Sequence, residues 1–467
     1  MTDTRSPTSG HDSTSRLDST SGLDSSVAAD LNLDPYWMPF THNRYFKRTR
    51  PLDRIIVGAE GAYYTTAEGK KVFDCLSGLW CSSLGHRPAK IVEAVKKQLD
   101  TADYIPAFQV SSPQAFRLAE RIAEVAPGDL NRVFFTSSGS ESVDTALKMA
   151  VAYHRLRGEA SRTRIIGREK GYHGVGMGGI SVGGMVANRK MFAPLMMPGV
   201  DHLPHTQNLK EMAFSKGQPT WGAHLAEELE RIVALHDAST IAAVILEPMQ
   251  GSAGVIVPPV GYLNRIREIC DKHGILLIFD EVITGFGRMG EWFGAQAFGV
   301  TPDLITFAKC VNNGTVPMGG VIARQGIYDT FMQGPDHLVE FFHGYTYSGH
   351  PLAVAAANAT LDILHEDDVP KRMGALAKLI ETAVHSLKGE PNVIDTRNCG
   401  ASGAVELAPI AGQPGMRALR VFEHALKNGM LLRFTGDILA MAPPVISTPA
   451  EIERMVEVLR DAIKASA

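Results

Sequence analysis

ILLIFDEVITGFGR, residues Ile275 to Arg288, is the stretch that decides the fold. Apolar residues run from Ile275 to Phe279 without polar alternation, meet Asp280 and Glu281, and give way to a glycine-rich turn. A strand that is apolar on both sides is covered on both sides, as in a parallel sheet packed between helices. Five more stretches read the same way: RVFF (132–135), RIIG (164–167), AAVILE (242–247), LITF (304–307) and GGVIA (319–323). Helix-period segments separate them. In YLNRIREICDKHG, Leu263, Ile266, Ile269 and Cys270 mark one face and Gly274 supplies the stop. The alternation predicts a large α/β domain over residues 79–345.

Towards the C-terminus the pattern changes to a smaller α+β domain over residues 346–467. It holds a long amphipathic helix near Pro351 to His365, strands near Gly403 to Leu407 and Met430 to Phe434, and a final helix. In STPAEIERMVEVLRDAIKA, Ser447 or Thr448 caps, Pro449 sits in the first turn, and Ile452, Met455, Val456, Leu459 and Ile463 form the buried stripe. Towards the N-terminus, residues 1–34 are rich in Ser, Thr, Asp and Gly, contain the near-repeat TSRLDS and TSGLDS, and read as a disordered tail. Order is expected from YWMPF (36–40), with strand-like runs at 55–57 and 62–64, in a segment 35–78 that joins the small domain.

The chain has 467 residues, 45% hydrophobic and 21% charged, with a net charge of -4. Its pI is near 6.5. No dense Lys/Arg run interleaved with aromatics occurs, so nucleic acid is not the expected partner and a small molecule is. No apolar stretch calls for a membrane. Cys75, Cys81, Cys270, Cys310 and Cys399 show neither zinc spacing nor a disulfide framework, and the acidic N-terminus lacks an apolar leader core, so a cytoplasmic location is expected.

Ligands of open α/β sheets sit beyond the carboxyl ends of the strands, where loops and helix N-termini converge. Asp280 is at such an end, although a lone carboxylate there is as easily a helix cap or a metal ligand. LITF runs into Ala308-Lys309 in the same manner. Burial lowers a lysine's pKa and frees its amine as a nucleophile, whereas an isolated strand-end lysine is ordinarily a solvated charge. After RVFF comes TSSGSES and an amphipathic helix; Ser138 and Glu141 have capping-box spacing, and the free N–H groups of that helix start suit a phosphate. Neither Walker nor Rossmann glycine spacing is present, which leaves a single phosphate group rather than a nucleotide. A strand-end acid, a strand-end lysine and a one-phosphate cradle together match the needs of pyridoxal 5′-phosphate. Glu281 is expected to face away.

GSES, GYHG, LEPMQGSAGVIVPPVGYL, LLIFDEVITGFGR, DLITFAK and FFHGYTYSGHP, in this order, resemble the class III (omega) aminotransferases of pyridoxal-phosphate fold type I. The resemblance runs from Tyr36 to the C-terminus. YWMPFTHNRYFK, GLWCSSLGH, GGMVANRKMF and RNCGASGAVEL look most like the omega-amino acid (β-alanine):pyruvate members. The resemblance implies a mostly parallel seven-stranded sheet covered by helices, beside a smaller α+β domain formed from both chain ends. It implies pyridoxal 5′-phosphate as cofactor and no metal.

By the same resemblance Lys309 would take the cofactor's aldehyde and then carry a proton, and Asp280 would pair with the pyridine nitrogen. Tyr172 would stack on the ring and Val282 would press on its other face. Ser138, Gly139 and Ser140 would bind the phosphate with Thr346 of the partner subunit, making a homodimer or a dimer of dimers, and Glu247 would belong to the cofactor-binding set. Trp80 and Tyr172 would line the substrate pocket, and Arg433 would clamp a substrate carboxylate in a bidentate pair. The implied reaction is ping-pong transfer of an amino group from an omega-amino acid or amine to pyruvate, giving alanine.

The sequence departs from the family at three places: Cys310 follows the lysine where many relatives have Gly, Ser142-Val143 stands for Ala-Asn, and Ser252 replaces the glutamate of GABA-type relatives. The first is expected to tighten packing and brings a thiol near an aldehyde; the second bears on the helix start; the third speaks against a GABA:2-oxoglutarate enzyme. A taurine, diamine or 2-oxoglutarate transaminase, a racemase or aminomutase on the same fold, and a metal site made of Asp280, Glu281 and nearby histidines remain the alternatives.

Overall fold

The computed structural model describes residues 31–467. The tail expected over residues 1–34 lies outside the described residues up to position 30. Two compact units divide the chain: residues up to Gly58 with Tyr64–Lys71, and Ala59–Tyr63 with Val72–Ala467. Within the first, a helix Asn43–Thr49 ends at Arg50 in the left-handed conformation. Asn43 pins its approach, exchanging bonds with the Met38 backbone at 3.0 and 2.8 Å.

The second unit holds the seven-stranded sheet. Its strands are β1 (Leu130–Thr136), β2 (Arg164–Arg168), β3 (Val200–Leu203), β4 (Ile241–Leu246), β5 (Leu276–Asp280), β6 (Leu304–Ala308) and β7 (Gly319–Arg324). Their spatial order is β1-β7-β6-β5-β4-β2-β3. The strands from β6 through β3 are parallel, while β7 runs antiparallel to both β1 and β6. β4, β5 and β6 are buried at every residue, which is why their sequences show no alternation.

Helix α1 (Gly139–Leu156) follows β1 and packs against β6 and β7. Helix α2 (Tyr262–His273) buries Leu263, Ile266, Ile269 and Cys270 and stops at Gly274, whose φ of 62° is left-handed. A short helix α3 (Gly294–Phe298) and the long α4 (Pro351–Glu366) come next.

A four-stranded antiparallel sheet is built from β8 (Val393–Asn398), β9 (Gly403–Leu407), β10 (Arg433–Thr435) and β11 (Ile438–Met441), in the order β8-β9-β11-β10. The run expected as one strand at 430–434 is two. Met430 and Leu431 pair in parallel with Phe73 and Asp74, whereas Arg433 begins β10 and pairs with Ala440. Buried Leu432 is where the chain leaves one sheet for the other. The last helix, α5 (Pro449–Ala465), carries a reciprocal capping box between Thr448 and Glu451, and its stripe Ile452, Met455, Val456, Leu459, Ile463 is buried.

Candidate active site

The carboxyl ends of β1, β4, β5 and β6 converge with the loop after β2. Asp280 closes β5 and lies in register with Thr306 of β6. The Thr306 hydroxyl donates to Asp280 Oδ1 at 3.1 Å, and the Val282 N–H adds a bond at 3.2 Å. Asp280 Oδ2 meets His173 Nδ1 at 2.8 Å. His173 is 2% exposed, and its Nε2 is buried without a partner. The carboxylate is thus fixed in direction by three donors from three elements.

Glu281 points elsewhere. Its Oε1 accepts from Ala295 N–H at 2.7 Å, and its Oε2 accepts from the Thr284 hydroxyl at 2.8 Å and from Gly294 N–H. It caps α3, and burial still pushes its pKa up to about 7. The opening stretch ends in Arg288, a fully buried guanidinium that donates to Ser83 Oγ at 2.8 Å, Ser77 Oγ at 3.1 Å and the Pro443 carbonyl at 3.1 Å.

Lys309 follows β6 directly, with a φ of 50°. Left-handed backbone at such a residue costs roughly 1–2 kcal/mol, a cost that the surrounding sheet and turn override. Burial lowers the pKa of its amine, against the opposing pull of Cys81, Asp280 and Glu247. No hydrogen bond or ion pair engages that amine among the described residues. An unengaged lysine amine whose pKa burial lowers is better placed to act as a nucleophile than a solvated one.

The phosphate-sized cradle forms where β1 meets α1. Ser138 Oγ accepts from Glu141 N–H at 3.2 Å, and the Glu141 carboxylate accepts from Ser137 N–H at 2.7 Å. With Ser138 spent on the cap, the N–H groups of Gly139 and Ser140 stay free of backbone acceptors among the described residues, and Ser137 Oγ is buried without a partner. These are orphan donors of a helix N-terminus, the arrangement that binds anions. A Cβ at Gly139 would sit 3.1 Å from both Val282 methyls, so Val282 and the cradle share one small space. Ser142, one of the departures, is buried, and its hydroxyl lies 2.8 Å from the Ser138 carbonyl and 3.1 Å from that of Phe307, tying the helix start to β6.

Two loops close the remaining sides. Tyr172 N–H donates to Glu247 Oε1 at 2.9 Å, and Gly251 N–H donates to Glu247 Oε2 at 3.1 Å. Glu247 is buried, and desolvation raises its pKa to about 7, with Asp280 adding to the rise and His173 opposing it. Burial raises the Tyr172 phenol, against the nearby positive charge of Arg433. Burial lowers the pKa of Arg433 in turn, and its Nε is buried without a partner. Such a guanidinium invites a carboxylate. Trp80 is 2% exposed, packed with Leu76, Met249, Val255 and Ile283, and its indole N–H lacks a partner. Cys310 is held by Ser83 Oγ at 2.8 Å and the Trp80 carbonyl at 3.1 Å. Thr346 is exposed, and its carbonyl accepts from the Tyr104 hydroxyl at 3.0 Å.

Sequence reasoning assigned no part to His173 or Thr306. The signal for Thr306 is a hydroxyl inside an apolar strand, directly opposite Asp280 in the register of the neighbouring strand. His173 stands beside Tyr172 in GYHG but 107 positions from Asp280, and only the fold joins them. No group of three or more metal-ligating side chains exists among the described residues, so the metal reading at Asp280 and Glu281 has no ligand set there.

The aminotransferase class-III profile matches residues 45–463. The chain belongs to the class-III aminotransferases. It is 56% identical over 429 residues to the omega-aminotransferase of Caulobacter vibrioides, covering 92% of this chain and 97% of that one. It is 53% identical to the beta-alanine–pyruvate aminotransferase of Pseudomonas aeruginosa, covering 94% and 97%. Among solved structures, an amine transaminase from an uncultivated Pseudomonas species in its PLP-bound form superposes with a TM-score of 0.84 at 36% identity, covering 92% and 99%. The site of this class-III enzyme fits pyridoxal 5′-phosphate: orphan N–H donors for one phosphate, an unengaged amine for the aldehyde, and a carboxylate held in place for the ring nitrogen.

Proposed function

We propose that the enzyme transfers the amino group of an omega-amino acid such as β-alanine to pyruvate, giving a semialdehyde and alanine in two half-reactions at one site. The observation that carries the reading is the meeting of Lys309, Asp280 and the Gly139–Ser140 cradle at the carboxyl ends of β6, β5 and β1, on one edge of the same sheet. The names of the similar enzymes support the substrate pair. Pyridoxal 5′-phosphate, when bound, supplies a ring that withdraws electrons from the amine-bearing carbon.

The chain's own residues do the rest. Lys309 Nζ, its pKa lowered by burial, would accept the proton released at that carbon and deliver it to the cofactor carbon that bears the transferred nitrogen. Asp280 holds a negative charge towards the ring nitrogen, with His173, Thr306 and Val282 fixing its direction. Gly139 and Ser140 bind the phosphate, Ser138 supports them as the cap, and Val282 and Tyr172 enclose the ring. Glu247 sets the Tyr172 loop. Arg433 clamps the carboxylate of β-alanine and then of pyruvate, and Trp80 bounds the pocket. Thr346 of the partner subunit completes the phosphate site, which makes a homodimer the working unit. The five free cysteines suit a cytoplasmic location.

The test is chromatographic assay of the amino acid formed, alanine from pyruvate or glutamate from 2-oxoglutarate as the alternative acceptor, with β-alanine, taurine and a diamine as donors. Alanine formed fastest from β-alanine and pyruvate supports the reading. Faster turnover with another pair, or turnover that consumes no keto acid, refutes it.

A further inference from the structure

RNCGASGAVEL puts a buried arginine, Arg397, at the centre of a network that the chemistry above does not use. Its Nη1 donates to Asp395 Oδ2 at 2.6 Å and to Glu406 Oε2 at 2.7 Å, and its Nε donates to the Gly254 carbonyl at 2.8 Å. Gly254 lies in the loop after β4, the one whose Gly251 N–H holds Glu247. That loop is pressed onto the small sheet: a Cβ at Gly254 would lie 2.6 Å from Ile438 Cγ2, and the Thr435 hydroxyl donates to the Ser252 carbonyl at 3.1 Å. Thr435 and Arg433 share the three-residue strand β10, and Ile438 lies opposite both Thr435 and Glu406.

Glu406 reaches the other loop as well. Its Oε2 accepts from Gln207 Nε2 at 2.6 Å, and Gln207 Oε1 accepts from Lys170 Nζ at 2.8 Å. Lys170 is two residues before Tyr172, whose N–H returns to Glu247. The contacts therefore close a ring: Tyr172 loop, Gln207, Glu406, Arg397, the 251–254 loop, Glu247, and back to Tyr172. A cavity of about 20 Å³ lined by Gln207, Asp395 and Arg397 adjoins it. That is room for one water near Arg397 Nη2, which is buried without a partner.

We infer that Arg397 and Glu406 are positioning residues for substrate carboxylates: they lock the sheet that carries Arg433 to the two loops that hold Tyr172 and Glu247. The inference rests on the reading of Arg433 as the carboxylate clamp. A planar guanidinium suits the task because one rigid fork reaches two carboxylates and a carbonyl at once, which a lysine ammonium on a flexible stem does not. A charged network of this kind adds little net stability, since desolvation offsets the attraction, but it fixes geometry.

The test uses the holoenzyme and propionate, a carboxylate with no amine, as a competitive inhibitor against β-alanine. Glu406→Gln, which keeps shape and removes one charge, should weaken propionate inhibition about tenfold and raise the KM for β-alanine by a similar factor. It should leave kcat within about twofold and pyridoxal 5′-phosphate affinity unchanged. Arg397→Lys, which keeps the charge and loses the fork, should do the same. Equal losses in kcat and cofactor affinity would mark a general structural role and overturn the inference. Unchanged propionate inhibition in Glu406→Gln overturns it too, provided that Arg433→Leu measured alongside weakens propionate. Unchanged inhibition in Arg433→Leu overturns the clamp itself, and the inference falls with it.

Discussion

Gly319→Ala tests the cradle through a residue that touches no ligand. Gly319 opens β7 and lies in register with Thr136 of β1 and Ala308 of β6, directly beneath the start of α1. An added Cβ would lie 2.6 Å from Ser142 Oγ, 2.7 Å from the Ser138 carbonyl oxygen and 2.9 Å from that of Phe307, against 3.4 Å or more in ordinary contact. The overlap is about 0.5–0.8 Å, and two of the three atoms are backbone that no rotamer change moves aside. The helix start must retreat from β6, carrying the Gly139 and Ser140 N–H groups with it and lengthening their distance to Lys309. Overpacking of this kind destabilises by roughly 1–3 kcal/mol. A displacement of about half an ångström should also cost on the order of tenfold in pyridoxal 5′-phosphate affinity. Titration of the apoprotein with the cofactor, followed by its visible absorption, reads the affinity, and thermal unfolding reads the stability. A variant that binds the cofactor as tightly as the parent, whatever its Tm, refutes the placement of the phosphate at this helix start.

Other outcomes follow from the same geometry. Asp280→Asn sets an amide N–H against at least one of three donors, so it should lose roughly 1.5–3 kcal/mol of stability and slow both half-reactions in stopped-flow absorbance; unchanged rates would remove Asp280 from the ring nitrogen. Glu281→Ala leaves the Gly294 and Ala295 N–H groups and the Thr284 hydroxyl without their acceptor, and should lower Tm while KM values stay put, each orphaned group costing about 1–3 kcal/mol. Glu247 and Glu281 both have folded pKa values raised to about 7 from 4.5. Their contribution is therefore present below pH 4.5 and lost as pH rises through about 7, with a slope of order 1 kcal/mol per pH unit for each group. Denaturant unfolding of Glu247→Gln between these limits should fall less steeply with pH than the parent, and an identical slope contradicts the burial argument.

How much of this was legible in the chain depended on the kind of signal. β4, β5 and β6 declare themselves because burial on both faces leaves them almost wholly apolar, and Asp280 and Lys309 stand out as the first charges met at the ends of such runs. β3 gave no such run: VDHL is four residues, three of them only half-buried, on the sheet's edge, and it was not among the expected strands. The split at Leu432 was hidden because a sequence shows an apolar run and not which sheet receives it. The N-cap at Ser138 could be read from spacing, whereas the free N–H groups beside it became visible only with the fold. Contacts between remote segments were beyond reach. Nothing in RNCGASG states that Arg397 meets Gly254, 143 residues away, or that His173 aims at Asp280.

The central claim is that Lys309, Asp280 and the cradle work a pyridoxal-phosphate amino transfer. The most direct measurement is the visible spectrum of the purified holoenzyme as β-alanine alone is added and pyruvate follows, beside the same series on Lys309→Ala. The account predicts that β-alanine bleaches the visible band, that pyruvate restores it with one alanine per site, and that the folded variant does neither. A parent band unmoved by β-alanine contradicts the proposed donor, and a variant that completes the cycle contradicts the mechanism.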